Sequence, residues 1–294
     1  MAQRALLIAG PTASGKTAMA IERSADEKSL VINTDSMQVY DVLNIVSARP
    51  NSEELAQAPH RLYGHVSPAT RYSTGAWLRD VQALIQGEGA SYEKLIFVGG
   101  TGLYFDTLIN GFAQIPDVPQ VAIQQVEEMI QPLDAQGRAD LLARIDPEMA
   151  KRLQAPDPQR VVRAISVIQA TNKSLASWQD EPNAPSIIEG FEIEKIVLNP
   201  ERDVLRERIA KRFNMMMQGG AIDEVKAVNA LDLDPSLPAM RAIGVPEISA
   251  YLAGDMTYEE ATEKSITATH QYAKRQRTWF RNRMKDWQWI DPLG

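Results

Sequence analysis

Eight consecutive residues, Gly10, Pro11, Thr12, Ala13, Ser14, Gly15, Lys16 and Thr17, fit the spacing G-x-x-x-x-G-K-[ST]. Glycines let the backbone curl so that several N–H groups point at one anion. A following helix adds its positive end, and Lys16 adds a full charge. The chemistry this suits is phosphate or diphosphate binding, with the Thr17 hydroxyl placed to hold a Mg²⁺ ion on those phosphates. A carboxylate follows at Asp35, in the run Asp35, Ser36, Met37, Gln38, Val39, Tyr40. It reads either as a general base or the holder of a metal-bound water, or as a helix cap or surface turn. Gly99, Gly100, Thr101 and Gly102 make a third small-residue loop. That loop allows close backbone approach to a ligand, or is a plain strand-to-helix turn.

These three loops need elements to carry them. Residues 5–9, 30–33 and 95–98 are short apolar, β-like runs, each ending at one of the loops, with helical spacing or turn residues between them. Ligands of open parallel sheets bind beyond the carboxyl ends of strands, so all three loops fall at one edge. The fold class expected is α/β, a three-layer α/β/α arrangement around a parallel sheet like that of P-loop NTPases. From 113 to 190 the pattern turns to short, proline-punctuated helices without a strand. This reads as an all-helical insertion domain in a core of residues 1–112 and 191–294. Within it, Asp157 and Pro158 form a cap and first helical position for a helix running through Arg160, Arg163 and Ile168 to Asn172. A strand at 193–198 returns to the core. The next helix, from Asn199-Pro200 to Gly219-Gly220, turns Leu205, Ile209 and Phe213 inward.

The last element opens at a capping box, Thr257 with Glu260, and extends to about Lys285. Lys274, Arg277, Arg281 and Lys285 share one face, while Ile266, Ala273, Phe280 and Met284 follow another line as its buried side. Tyr272, Trp279 and Trp287 interleave with the basic residues. Two readings stand: a surface for nucleic-acid phosphates with aromatic stacking, or a solvated amphipathic helix over core aromatics. Arg160 and Arg163 are likewise solvent charges or a second anion contact. His60, His65 and His270 lack metal-ligand spacing.

A net charge of −7 argues against an indiscriminate nucleic-acid coat, though it leaves room for a local basic surface. With no cysteine, disulfides, zinc-thiolate sites and iron–sulfur clusters are excluded. No stretch reaches the roughly 18 apolar residues of a membrane helix, so no membrane association and a cytoplasmic location are expected.

Together, GPTASGKT, DSMQVY, VGGTGLY and YAKRQRTWFR, in that order and at those intervals, closely resemble the tRNA dimethylallyltransferase family over nearly the whole chain. Further similar pieces are Ala48-Arg49-Pro50, His60, the run 157–164, the Arg202, Arg208 and Arg212 helix, and Arg241-Ala-Ile-Gly244. With no cysteines for the C-terminal zinc finger of eukaryotic relatives, the resemblance is to the bacterial type. It implies transfer of a dimethylallyl group from dimethylallyl diphosphate to N6 of adenosine 37 of tRNA, by a monomer using Mg²⁺. It implies that Thr12 to Thr17 hold the diphosphate, Thr17 with Mg²⁺, and that Lys16 offsets charge on the leaving group. Asp35 would take the amine proton and Thr101 would orient diphosphate or base. Asp35, Ser36, Met37, Gln38, Thr101, Gln159, Arg160, Val161, Val162, Arg163, Arg241, Gly244, Lys274, Arg275, Gln276, Arg277, Trp279 and Arg281 would contact RNA. The helical insertion would grip the anticodon stem-loop. The chain departs from the family pattern at His270-Gln271, at Val245-Pro246 and at Ala122. The rival readings are an isopentenyltransferase acting on free AMP or ATP, a small-molecule kinase, and a protein that only binds phosphate.

Overall fold

In a computed structural model, residues 2–153 and 157–292 are described. The apolar runs form strands because their β-branched and large side chains fit a pleated surface covered on both sides. In chain order the elements are β1 (Arg4–Ala9), α1 (Lys16–Glu22), β2 (Ser29–Asn33), α2 (Ser52–Gln57), β3 (His60–Arg61), α3 (Thr74–Gln86), β4 (Lys94–Gly99) and α4 (Gly102–Asn110). Five helices follow: α5 (Gln120–Ile130), α6 (Ala135–Ile145), α7 (Pro147–Arg152), α8 (Pro158–Thr171) and α9 (Leu175–Asp180). The chain then continues through β5 (Glu192–Leu198), α10 (Arg202–Gln218), α11 (Ala221–Asn229), α12 (Val245–Ala253), α13 (Tyr258–Arg283) and β6 (Gln288–Ile290).

The six strands form one sheet in the order β3-β2-β4-β1-β5-β6, and every neighbouring pair is parallel. Alternate residues of each strand go to opposite faces. Leu7, Ile32, Leu95 and Phe97 join Trp77 of α3 and Phe105 of α4 on one side. Leu6, Ile8, Val31, Ile96 and Val98 join Ala20 of α1 on the other. Covered faces on both sides make the three-layer arrangement, and each fully buried large apolar side chain contributes about 1.5–3 kcal/mol over exposure. The short edge strands β3 and β6 carry no periodicity of their own; their pairing with β2 and β5 makes them strands. Among the described residues, no helix is long and apolar enough to cross a membrane.

The chain divides into two compact units, Met1–Ile109 with Ile187–Gly294, and Asn110–Ser186. The second is entirely helical among its described residues and has its own core, with Val126, Leu142, Val161 and Ile165 buried together. Asp157 caps α8 by accepting from the backbone of Gln159 and Arg160, and Asn172 closes it in the left-handed region at φ 54°. Ala184 N donates to Phe112 O at 3.2 Å, which brings the two ends of this unit side by side.

Candidate active site

Strands β2, β4 and β1 are consecutive in the sheet, so the loops leaving their carboxyl ends stand in a row. The first curls from β1 into α1. Ala13 and Gly15 adopt positive φ, at 64° and 91°, and Gly15 serves as the helix N-cap. Gly10 has a packing reason: a Cβ there would lie 2.7 Å from Ser14 Oγ and 3.0 Å from Leu198 O. Pro11 and Ser14 are buried, and Thr12, Ala13, Lys16 and Thr17 are half-buried. Ser14 Oγ has no partner.

Lys16 folds back over the loop and donates to Pro11 O at 2.8 Å. Burial holds its ammonium below the usual lysine value, at about 8. The Asp35 carboxylate acts in the opposite sense, and the Arg212 guanidinium of α10 reinforces the burial. Arg212 is itself lowered by burial, with Asp35 opposing, and it donates to Thr12 Oγ1. Two crowded cations beside one carboxylate make a pocket electrostatically prepared for a polyanion.

Asp35 is held where β2 ends. Its N–H donates to Asn33 Oδ1 at 2.9 Å, and its Oδ1 accepts from Met37 N at 2.9 Å. Thr101 lies beside it: Thr101 N donates to Thr34 O at 3.1 Å, and Ser36 N donates to Thr101 Oγ1 at 2.9 Å. Phenols crowd the same carboxylate. Tyr63, Tyr104 and Tyr272 are pushed above the ordinary tyrosine range, first by burial and then by Asp35.

The glycines at and after the end of β4 make room for the protein's own groups. A Cβ on Gly99 would lie 2.0 Å from Thr34 O, and one on Gly100 would lie 2.2 Å from Gln276 Nε2 and 3.2 Å from Asp35 Oδ2. On Gly102 it would meet the Trp279 ring at 2.2 Å.

Several of the residues expected to contact RNA are buried or half-buried, with partners inside the protein. Gln276 is buried, because the turn of α13 that carries it presses on the two loops; its Oε1 accepts from Thr12 N and its Nε2 donates to Gly100 O, both at 2.9 Å. Trp279 packs half-buried against the sheet core, and Trp287 is a core residue, edge-on to Phe105 at 5.5 Å. Gln38 directs its Nε2 at Ser47 O and Ala48 O, at 3.0 and 2.8 Å. Val161 is fully buried in the helical unit, since the helix turns it away from Arg160 and Arg163, and Val162 is half-buried. Gly244 is buried at φ 100°, with the Phe213 ring 3.4 Å from where its Cβ would be. Lys274, Arg275, Arg281 and Arg241 are exposed, as are Gln159, Arg160 and Arg163 of the helical unit; Ser36 and Met37 are half-buried. The Arg277 guanidinium is lowered by burial, then by Arg281 and Arg202, against Glu201, and its buried Nε has no partner.

Sequence reasoning gave Arg212 no role of its own, because its distance of 200 residues from Thr12 hides the contact. Tyr63 was missed too; a tyrosine in a loop carries no signal for a carboxylate on another strand.

A parallel sheet with a phosphate-binding loop on its inner strand β1 and a carboxylate two strands away defines a P-loop group-transfer protein. The chain matches the family model described as IPP transferase over residues 38–283, and that described as isopentenyl transferase over residues 3–67. It is 47% identical over 289 residues to a tRNA dimethylallyltransferase of Chelativorans sp. (strain BNC1), covering 98% of this chain and 99% of that one. A tRNA dimethylallyltransferase of Rhizobium etli is 48% identical over 287 residues, covering 97% and 96%. Among solved structures, a tRNA isopentenylpyrophosphate transferase from Bacillus halodurans matches with TM-score 0.68 at 31% identity, covering 98% of this chain and 90% of that one. A eukaryotic dimethylallyltransferase acting on tRNA has TM-score 0.82 at 24% identity, covering 98% and 74%, which is a likeness of fold. The chain belongs to the IPP transferase family and is a prenyltransferase.

Proposed function

We propose that the protein transfers a dimethylallyl group from dimethylallyl diphosphate to the exocyclic N6 of adenosine 37 in tRNA, releasing diphosphate. The observation that carries this reading is geometric: Lys16 folds over the loop after β1 and Arg212 bonds to Thr12 in it, a cationic cradle for a leaving group, while Asp35, a base for the incoming amine, is held at the same edge of the sheet where β2 ends. Diphosphate binds in the loop 10–17, against Lys16 and Arg212. The N6 lone pair attacks the allylic carbon, the carbon–oxygen bond breaks with its electrons going to diphosphate, and the N6 proton passes to Asp35. Adenine's amine is a poor nucleophile because its lone pair is delocalised into the ring, so a carboxylate that accepts its proton during attack lowers the barrier. Lys16 and Arg212 offset the charge that grows on the departing oxygen. Thr101, bonded to Ser36 N, holds the Asp35 loop in place.

The residues present fit a Mg²⁺ ion held largely by the substrate. Thr17 offers a hard hydroxyl oxygen at the start of α1, and among the described residues no cluster of three acidic or histidine side chains forms a separate cage. Bound there, Mg²⁺ supplies further neutralisation of the diphosphate oxygens.

RNA is held by the outer face of α13 and by α8 of the helical unit. Arg277, with Arg202 and Arg281 around it and an unpartnered buried Nε, suits a backbone phosphate. Gln159, Arg160 and Arg163 line an open groove with an apolar floor that includes Met149 and Leu175, suited to the anticodon stem-loop. The target base is flipped out to reach the Asp35 loop. A monomer acting in the cytoplasm completes the reading.

The test is transfer of labelled prenyl from dimethylallyl diphosphate to an anticodon stem-loop bearing adenosine 37, set against AMP. The stem-loop is expected to be labelled, and Asp35→Asn to lower the rate roughly 10²–10⁴-fold. Preference for AMP, or transfer of phosphate in place of prenyl, would overturn the assignment.

A further inference from the structure

A planar side chain that accepts on one edge and donates on the other can bridge two backbones. Gln276 does so between loops from different strands. Its Oε1 takes the N–H of Thr12 in the phosphate-binding loop, and its Nε2 donates to the carbonyl of Gly100 in the loop after β4, both at 2.9 Å. The group is 6% exposed. Backbone N–H groups in such a loop are the usual anion ligands, so one given to Gln276 has been committed to holding the loop. Gly100 is pressed from two sides, since a Cβ there would lie 2.2 Å from Gln276 Nε2 and 3.2 Å from Asp35 Oδ2. The amide and the carboxylate thus lean on one stretch of backbone. One turn earlier on α13, Tyr272 lies beside both Gln276 and Thr101. On the other side of Thr12, Arg212 donates to its hydroxyl.

We propose that Gln276 is a positioning residue, whose buried carboxamide sets the separation between the diphosphate loop and the Asp35 edge of the site. The outer face of α13 is basic, and its inner face clamps the reacting geometry. The rate effect rests on the prenyl transfer proposed above; the effect on diphosphate binding rests on the loop alone.

The test uses two variants of the full chain. Gln276→Met keeps the volume and loses both hydrogen bonds. Expected are an affinity for inorganic diphosphate, read by calorimetry, about tenfold weaker, and kcat on the stem-loop about 10- to 100-fold lower with KM for the stem-loop changed less than about twofold. Gln276→Glu as a carboxylate still accepts from Thr12 N–H but faces Gly100 O with no donor. Protonation restores that donor, so its kcat relative to wild type should recover as pH falls from about 8 to about 6. A role confined to filling space predicts no loss in Gln276→Met, which fills the same volume. A higher stem-loop KM for Gln276→Met with kcat and diphosphate affinity unchanged would make Gln276 a direct RNA contact and overturn the proposal. So would no change in any of the three. If wild type binds diphosphate yet transfers no prenyl group, the functional assignment falls, and diphosphate affinity still judges Gln276. If Gln276→Met fails to fold, the pH recovery of Gln276→Glu decides.

Discussion

Lys16 shows how one buried charge serves binding at a cost to the empty protein. Its ammonium is lowered from 10.5 to about 8 by burial, against the pull of Asp35. Below about 8 it is charged and grips an anion; above, it is neutral. Diphosphate affinity should therefore fall as pH rises through about 8, and Lys16→Met should remove that limb, both measurable by calorimetry. The same shift has a stability consequence. Between about 8 and 10.5 the unfolded chain holds more protons than the folded one, so stability of the ligand-free protein rises across this window. Urea unfolding should show a gain of up to about 3 kcal/mol in wild type that Lys16→Met lacks. Burial first, and then the Asp35 carboxylate, keep the phenols of Tyr63, Tyr104 and Tyr272 protonated.

Helix α13 divides its labour by face. Thr257 and Glu260 start it with a reciprocal capping box, and Ala273 and Phe280 anchor it to the core. Gln276 reaches inward to the loops, while Lys274 and Arg281 remain exposed. If those two contact phosphates, Lys274→Ala and Arg281→Ala should each weaken stem-loop binding and reduce the slope of log affinity against log salt by about 1. Fluorescence anisotropy over a salt series reads both quantities. An unchanged slope removes that residue from the RNA face.

The helical unit has a core of its own: among the described residues, none of its members, from Ile115 to Trp178, belongs to a cluster of the sheet unit. Its ends meet, with Asn183 Nδ2 donating to Asn110 O at 3.1 Å. Replacing residues 110–186 by a short linker should leave a folded sheet unit that binds inorganic diphosphate as wild type does. Transfer to the stem-loop should drop by more than about tenfold, since the unit would no longer supply its RNA contacts. Calorimetry and label transfer separate the two effects. Loss of diphosphate binding as well would mean that the sheet unit needs the insertion to fold.

At the level of the whole chain, sequence alone determined the features that depend on neighbours a few residues apart. The loop 10–17 was legible because anion binding needs glycine, lysine and hydroxyl at fixed offsets. The inner strands β1, β2 and β4 were legible because burial on both faces requires continuous apolar runs, and β5 because its buried half, Ile196 to Leu198, is such a run. The caps at Asp157 and Thr257 were legible because the residues that satisfy a helix start lie within one turn of it. Tertiary structure alone decided what depends on distant chain segments meeting. Strands β3 and β6 exist through their partners, and Arg212 joins Thr12 across the fold. Gly99 and Gly100 are small because Thr34, Asp35 and Gln276 fill the space beside them. Gln276 entered the sequence reading only as an RNA contact implied by the family resemblance. Helical rotation turned it inward, where a buried amide must find both an acceptor and a donor, and the two loops supply them.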